Sequence, residues 1–273
     1  MVGADDDRAD GPLYHQLVGD GRPVLLIQGV GAIGEAWRPQ LDGLADGYRM
    51  CAYDNRGIGR SPLGDRRLTI ELMTRDALAL MDHFGWQRCH VAGHSMGGVI
   101  AQQLALDAPE RVASLALLCT FVRGVDGARP SGRMIWLGLR SRIGTRPMRR
   151  RAFVQMIYPR SHIDDIDQNA LAADWSRYFG RDFADSPPVI MKQLRAMKAH
   201  DASGQLAQLA HIPTLVITGE EDIIAPPSQG RALAEAIPGA RYVEMARAGH
   251  ALPIRLAEAT NALLREHFSA AAL

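Results

Sequence analysis

The sequence has little cysteine, no excess of either charge and no long apolar run. Its only cysteines are Cys51, Cys89 and Cys119, an odd number without the spacing of a disulfide framework. We therefore expect free thiols packed in strands and a reducing compartment. The 31 lysines and arginines nearly match the 30 aspartates and glutamates, so the overall charge gives no reason to expect a nucleic-acid partner.

Targeting segments are also missing from the pattern. The first ten residues, MVGADDDRAD, are polar and acidic, whereas a secretory signal has a positive region followed by an apolar one. The sequence also contains no run of about 18 apolar residues, the length that a membrane-spanning helix needs. These absences predict a cytoplasmic protein without an integral membrane segment.

Short runs rich in Val, Ile and Leu alternate with helical patterns along most of the chain. Strands are predicted at 23–29, 48–54, 88–94, 114–120, 214–220 and 240–246, with an antiparallel edge strand at 11–19. Helices are predicted at 35–45, 69–84, 96–107, 227–237 and 253–268. This alternation predicts an α/β fold with a mostly parallel, doubly wound sheet, whose ligands bind at the carboxyl ends of the strands.

The alternation stops over residues 121–205, where the pattern becomes helical. We interpret this segment as a helical cap inserted after the sixth strand, with 1–120 and 206–273 forming the core. Ten arginines lie between residues 123 and 160, which would suit an anionic substrate or a membrane surface. Solvated faces of amphipathic helices, balanced by aspartates downstream, account for them more simply.

The stretch VAGHSMGGVI places Ser95 between a predicted strand and a predicted helix. A plain turn is one interpretation, because glycine and serine are common turn residues. The other is a nucleophile elbow, in which Gly93 and Gly97 allow close packing while a strained turn exposes the hydroxyl. A serine nucleophile needs a base and an acid that orients the base.

Candidates for both partners follow two later strands. Asp222 lies in the loop GEEDIIAPP after the strand at 214–220, and its neighbours Glu220 and Glu221 are less favourably placed. His250 follows the last strand, in ARAGHALPI. At the carboxyl ends of their strands these residues can meet Ser95, and their chain order is that of a Ser, Asp, His triad.

Two backbone amides are candidates for an oxyanion hole, which requires donors fixed before the reaction. Met96 directly follows the serine. Val30 lies in QGVGAIG after the strand at 23–29, where glycines let the backbone approach a substrate. A glycine-rich turn without function is the simpler alternative, and a phosphate-binding loop is disfavoured because no Walker lysine follows.

Four motifs together resemble the α/β-hydrolase superfamily, particularly its small capped esterases and lactonase-like members. They are GHSMG, YDNRGIGRS at 53–61, GEED with Asp222 and AGH with His250. The resemblance covers nearly the whole chain outside the cap and implies the α/β-hydrolase fold. The superfamily usually has His-Gly at the oxyanion loop, whereas this chain has Gln28-Gly29, and a glutamine can still brace the loop by hydrogen bonds.

Other polar residues near these motifs are expected to be structural. Asp54 should cap a turn and Arg56 should form an ion pair. The side chain of His94 should point away from Ser95, because neighbouring residues in a strand face opposite sides. His83, His90 and His94 lack the spacing of metal ligands, so we expect no metal and no cofactor.

Apolar and aromatic residues of the cap predict a pocket for a hydrophobic acyl or alkyl group. Trp136, Trp175 and Tyr178 are the candidate lining residues. The leading hypothesis is a serine hydrolase that cleaves a small hydrophobic carboxylic ester or lactone through an acyl-enzyme. Two alternatives stay open: hydrolysis of a carbon–carbon bond beside a ketone with the same triad, and ligand binding without turnover.

Overall fold

A central sheet lies at the core of the computed structural model, which describes residues 12–126 and 131–273. Its strands are β1 (His15–Val18), β2 (Arg22–Ile27), β3 (Tyr48–Tyr53), β4 (Cys89–His94), β5 (Val112–Leu118), β6 (Thr214–Gly219) and β7 (Arg241–Met245). They are ordered β1-β3-β2-β4-β5-β6-β7. Only β1 runs antiparallel to its neighbour, so the predicted sheet and its antiparallel edge strand are confirmed.

Helices flank this sheet. Those of the core are α1 (Arg38–Leu44), α2 (Ile70–His83) and α3 (Met96–Asp107) before the insertion, and α8 (Pro227–Ala236), α9 (Leu252–Arg255) and α10 (Ala257–Ala270) after it. The insertion contains α4 (Gly132–Arg140), α5 (Arg146–Ile157), α6 (Gln168–Phe179) and α7 (Pro188–Ala199). None of the described helices is long and apolar enough to cross a membrane.

The insertion lies between β5 and β6. It therefore follows the fifth strand of the described residues, not the sixth as predicted, because only five strands precede residue 121 even when the antiparallel edge strand is counted. The described helices α4 to α7 all fall within the predicted range 121–205. The acidic segment 1–10, Gly11 of the predicted edge strand and Arg129 of the arginine-rich stretch lie outside the described residues.

The inner strands are buried on both faces, as their continuous apolar runs require. Every residue of β5 and β6 is buried. Cys51, Cys89 and Cys119 are free and buried, as predicted. Burial raises the pKa of the Cys89 thiol to about 12, so this sulfur is an uncharged packing atom in the core.

A buried ion pair connects the loop after β3 to α2. Arg56 binds Asp76 through two contacts, Nη2 to Oδ1 at 2.5 Å and Nε to Oδ2 at 2.9 Å. In the same loop, Asp54 accepts from the amides of Gly34 at 2.7 Å and Arg60 at 3.0 Å. The predicted structural roles of Asp54 and Arg56 are confirmed.

Asp76→Ala should destabilise the fold, because it leaves the Arg56 charge buried without its partner. We expect the free energy of unfolding to fall by about 3–5 kcal/mol, measured by urea denaturation. Asp46→Ala is the matched control, since Asp46 pairs with Arg265 at the exposed surface, and it should leave the midpoint close to wild type. A midpoint for Asp76→Ala equal to that of the control would contradict the importance of the buried pair.

A histidine of β4 is buried in its neutral form. Nδ1 of His90 lies 2.9 Å from Oγ of Ser114, and the ring stacks on Phe268 with centroids 4.9 Å apart. Burial lowers the pKa of His90 to about 4. Because the unfolded chain binds this proton more tightly, the stability from His90 is complete above about pH 6.5 and is lost as the pH falls toward 4.

His90→Asn should therefore flatten the acid side of the stability curve. Between pH 6.5 and 4, the variant should lose less unfolding free energy than wild type, by on the order of 2 kcal/mol. Denaturant titrations at each pH measure this difference. His211→Asn, at an exposed histidine, is the control, and equal slopes for both variants would rule out the proposed contribution of His90.

Candidate active site

Ser95 occupies a strained turn between β4 and α3. Its backbone has φ 54° and ψ −121°, a region that residues with a side chain rarely adopt. The carbonyl of Ser95 accepts from Oγ1 of Thr120 at 2.7 Å and from the amide of Gly98 at 2.9 Å. Its amide donates to the carbonyl of Leu118 at 2.9 Å. This is the geometry of a nucleophile elbow, not of a plain turn.

The predicted glycines provide the close packing that this elbow needs. A Cβ on Gly93 would lie 2.3 Å from the carbonyl oxygen of Gly97, and one on Gly97 would lie 2.1 Å from that of Ile27. The next contact involves the loop after β2, since a Cβ on Gly29 would lie 2.9 Å from Cβ of Ser95. The serine is thus held directly against the loop that contains Val30.

The structure brings Asp222 and His250 into contact. Nδ1 of His250 lies 2.7 Å from Oδ2 of Asp222, and both side chains are buried. Oδ1 of Asp222 accepts from the amides of Ile224 at 2.8 Å and Ala225 at 2.9 Å. These bonds fix the carboxylate, and the carboxylate in turn orients the imidazole.

The neighbouring acids are used elsewhere, in agreement with the preference for Asp222. Glu220 accepts from the amide of Arg247, and Glu221 accepts from the amide of Ser161, each at 2.9 Å. Ser95 and His250 line one cavity. The three residues predicted as a triad therefore converge at the carboxyl ends of β4, β6 and β7.

The expected orientation of His94 is wrong. His94 lines the same cavity as Ser95, because the strained turn at Ser95 interrupts the alternation of the strand. Nε2 of His94 lies 2.9 Å from the carbonyl oxygen of His250, so this nitrogen carries a proton and donates it. Burial and the neighbouring His250 lower the pKa of His94, which keeps its ring neutral.

Among the described residues, one group of side chains has the spacing of a metal site. Donor atoms of His94, Cys119 and His250 lie within 4.8 Å of one another. Metals bind the thiolate of cysteine, but burial and the nearby Asp222 raise the pKa of Cys119. His94 and His250 also use one nitrogen each in the hydrogen bonds above. These contacts fit a hydrogen-bonded network, and the absence of a metal stays a prediction.

The loop after β2 is braced from two sides. Oε1 of Gln28 accepts from the amide of Gly29 at 2.9 Å, and the backbone carbonyl oxygen of Gln28 accepts from Nδ2 of Asn55 at 2.8 Å. The predicted bracing by Gln28 is confirmed. From α7, Oε1 of Gln193 accepts from the amide of Gly31 at 2.9 Å, a contact across 162 positions that no local signal in the sequence indicated.

Both candidate oxyanion donors lie beside Ser95. Val30 lines the cavity, and its loop touches the serine through Gly29. Met96 is the first residue of α3, where amide groups have no partner within the helix and point outward. The assignment of these two amides as oxyanion donors stays a prediction.

The cavity has a volume of about 290 Å³ and lies between the core and the insertion. Apolar side chains form most of its wall, including Phe121, Phe153, Phe179, Phe183, Met134 and Met156. Met134, Met156 and Phe179 lie on α4, α5 and α6 of the insertion, whose apolar residues were expected to form the pocket. No signal in the sequence identified the other three phenylalanines or Arg181, which also lines the wall.

None of the three predicted lining residues lies at this cavity, so that prediction is wrong. Trp136 is 53% exposed on the outer face of α4, with Arg140 over its ring. Trp175 and Tyr178 are buried in an apolar cluster that the insertion forms with a few alanines of the core. A helical pattern shows which residues share a face, but it does not show whether that face meets the cavity or the interior of the cap.

Comparisons with known proteins place these features in a wider group. The sequence model of the family described as alpha/beta hydrolase fold matches residues 22–254. A protein of Azorhizobium caulinodans, provisionally named carbamate hydrolase RutD, is 31% identical over 261 residues, which cover 93% of this chain and 94% of the relative.

Solved structures are similar along nearly the whole chain. The provisionally named non-heme bromoperoxidase BpoC of Mycobacterium tuberculosis H37Rv has a TM-score of 0.82 at 29% identity, covering 97% of this chain and 98% of its own. The enol-lactonase of Burkholderia xenovorans LB400 has a TM-score of 0.75 at 27% identity, covering 94% and 96%. These names describe different reactions, so the reaction must be argued from the site.

Gly29→Ala should impair the site without unfolding the protein. The new Cβ would displace Ser95 or the loop by several tenths of an ångström, and we expect labelling of Ser95 by a fluorophosphonate to slow roughly 100-fold. Gly204→Ala is the control, because a Cβ there meets nothing within 4 Å. Equal labelling rates for the two folded variants would contradict the close contact between Gly29 and Ser95.

Proposed function

The chain belongs to the alpha/beta hydrolase fold family, and within it we propose that this enzyme is a serine hydrolase that cleaves a carboxylic ester or lactone through an acyl-enzyme. One observation carries the proposal: a serine in an elbow shares a cavity with a histidine that is bonded to a buried aspartate. A serine hydroxyl is a weak nucleophile until such a base accepts its proton.

In the proposed first step, Oγ of Ser95 attacks the ester carbonyl while Nε2 of His250 takes the hydroxyl proton. Asp222 holds the imidazole in the required tautomer and stabilises its charged form. The amides of Val30 and Met96 donate to the oxyanion of the tetrahedral intermediate. His250 then gives its proton to the leaving alcohol, and the acyl group stays on Ser95.

In the second step, His250 takes a proton from water, and the resulting attack releases the acid and restores Ser95. A lactone follows the same route, except that its leaving alcohol stays attached to the acyl chain, so water releases a single hydroxy acid. The apolar wall of the cavity supports a hydrophobic acyl or alkyl group next to the scissile bond. Neutral His94 adds no competing positive charge beside the imidazolium.

Ser95→Ala should abolish hydrolysis of 4-nitrophenyl butyrate, because the acyl-enzyme cannot form. We expect kcat to fall at least about 10⁴-fold, and Asp222→Asn should cause a loss of similar order through the wrong tautomer. Initial rates followed by steady-state rates measure both effects. Ser269→Ala, at an exposed serine of α10, is the control.

Two outcomes would replace this proposal. If wild type is folded and a fluorophosphonate labels Ser95 but simple esters are not turned over, hydrolysis of a carbon–carbon bond beside a ketone becomes the better assignment. If Ser95 is not labelled and the folded wild type hydrolyses no ester, the fold serves ligand binding without turnover.

A further inference from the structure

The mostly apolar wall of the cavity contains a half-buried arginine from the insertion. Arg181 directly follows the loop residue Gly180 at the end of α6 and lines the cavity with Ser95 and His250. Its Cζ lies 5.7 Å from the ring centre of Phe153 and 6.0 Å from that of Phe179. Burial lowers the pKa of Arg181, but a guanidinium stays charged at neutral pH.

The hydrogen bonds of Arg181 do not neutralise this charge. Nη1 donates to the carbonyl oxygens of Asp182 at 3.3 Å and Asp185 at 2.7 Å, which are uncharged acceptors. Within the part of the chain that the structure describes, no carboxylate oxygen lies within the 4.0 Å of a salt bridge from Arg181.

The two nearby carboxylates are bound by other arginines. Asp182 pairs with Arg150 and, at 2.8 Å, with Arg146, while Asp185 pairs with Arg146 at 3.0 Å. Their charges still act on Arg181 from a distance. Arg146, Arg150 and Arg181 share these two aspartates, so one positive charge remains, and Arg181 is the one of the three without an ion pair. It lines the cavity together with Asp185, which is bound to Arg146, and with the exposed Arg142.

Arg181 also has donors left for a ligand. Nε and Nη2 form no hydrogen bond with any described residue. Nη2 lies beside the oxyanion loop, since a Cβ on Gly31 would be 3.2 Å away, and Gly29 of the same loop touches Ser95. Two residues of chain span at most about 7 Å, so the guanidinium lies on the order of 10 Å from the serine.

We propose that Arg181 binds a free carboxylate of the substrate, which is then an ester or lactone with a second, anionic carboxylate several carbons from the scissile carbonyl. This inference rests on the proposed function. Arginine binds a carboxylate through two parallel hydrogen bonds, and burial strengthens such a pair. The phenylalanines near Ser95 would contact the carbon chain that separates the two carboxyl groups.

The test compares two esters that have the same leaving group and the same chain length. Mono(4-nitrophenyl) adipate has a free carboxylate, and 4-nitrophenyl methyl adipate has none. For wild type we expect kcat/KM to be roughly 10- to 100-fold higher for the acid, the range expected for a charge-assisted hydrogen bond. Arg181→Gln should remove this preference through KM and leave the methyl ester within about threefold of wild type.

Two further variants separate direct contact from a general effect of charge. Arg181→Lys should restore part of the preference, because it keeps the charge but loses the paired donors. Arg142→Gln removes an exposed arginine that also lines the cavity and lies near Met191. It should change the preference little, and that small change should vanish at high salt.

Binding without turnover provides a second readout. Calorimetry with Ser95→Ala should detect binding of adipate but not of dimethyl adipate. With the double variant Ser95→Ala, Arg181→Gln it should detect binding of neither. If the esters are not hydrolysed but adipate binding requires Arg181, the proposed function fails and the carboxylate site stands. If both esters are hydrolysed equally well, or Arg181→Gln slows both to the same extent, the carboxylate site is overturned and the hydrolase proposal stands.

Discussion

The whole site depends on one backbone conformation, the positive φ of Ser95. Such a conformation costs of order 1–3 kcal/mol and persists only where the surrounding structure imposes it. Thr120 and Gly98 bind the carbonyl of Ser95, and Leu118 at the end of β5 accepts from its amide. The turn is thus held between β4, α3 and the neighbouring strand. Because backbone packs against backbone at Gly93 and Gly97, the turn cannot relax without displacing the sheet.

Titratable groups in and near the core are kept uncharged or paired. His94 and His90 are neutral, Asp222 is bound by three donors, and Arg56 is paired with Asp76. An unpaired charge in such surroundings would cost several kcal/mol. Among the described residues of the cavity wall, half-buried Arg181 departs from this pattern, because its charge has no carboxylate partner.

Much of the core could be predicted because its signals are local. Apolar runs, the glycines around Ser95 and the positions of Asp222 and His250 after their strands all follow from short stretches of sequence. The orientation of His94 could not be predicted from strand alternation, because the turn at Ser95 breaks it. The residues of the cavity wall could not be predicted either, because Trp175 and Phe179 lie on one helix and only their packing decides which of them faces the cavity.

The hydrogen bond that the Gly31 amide donates to Gln193 couples the oxyanion loop to the insertion. The loop follows β2 of the core, but one of its amides donates to α7, which contributes Ile190, Leu194 and Met197 to the cavity wall. Any shift of α7 that widens the entrance stretches this bond and loosens the loop near Val30. Access and chemical competence are therefore opposed in this architecture, and exchanging α7 for a helix of another sequence would alter the chemistry as well as the shape of the opening.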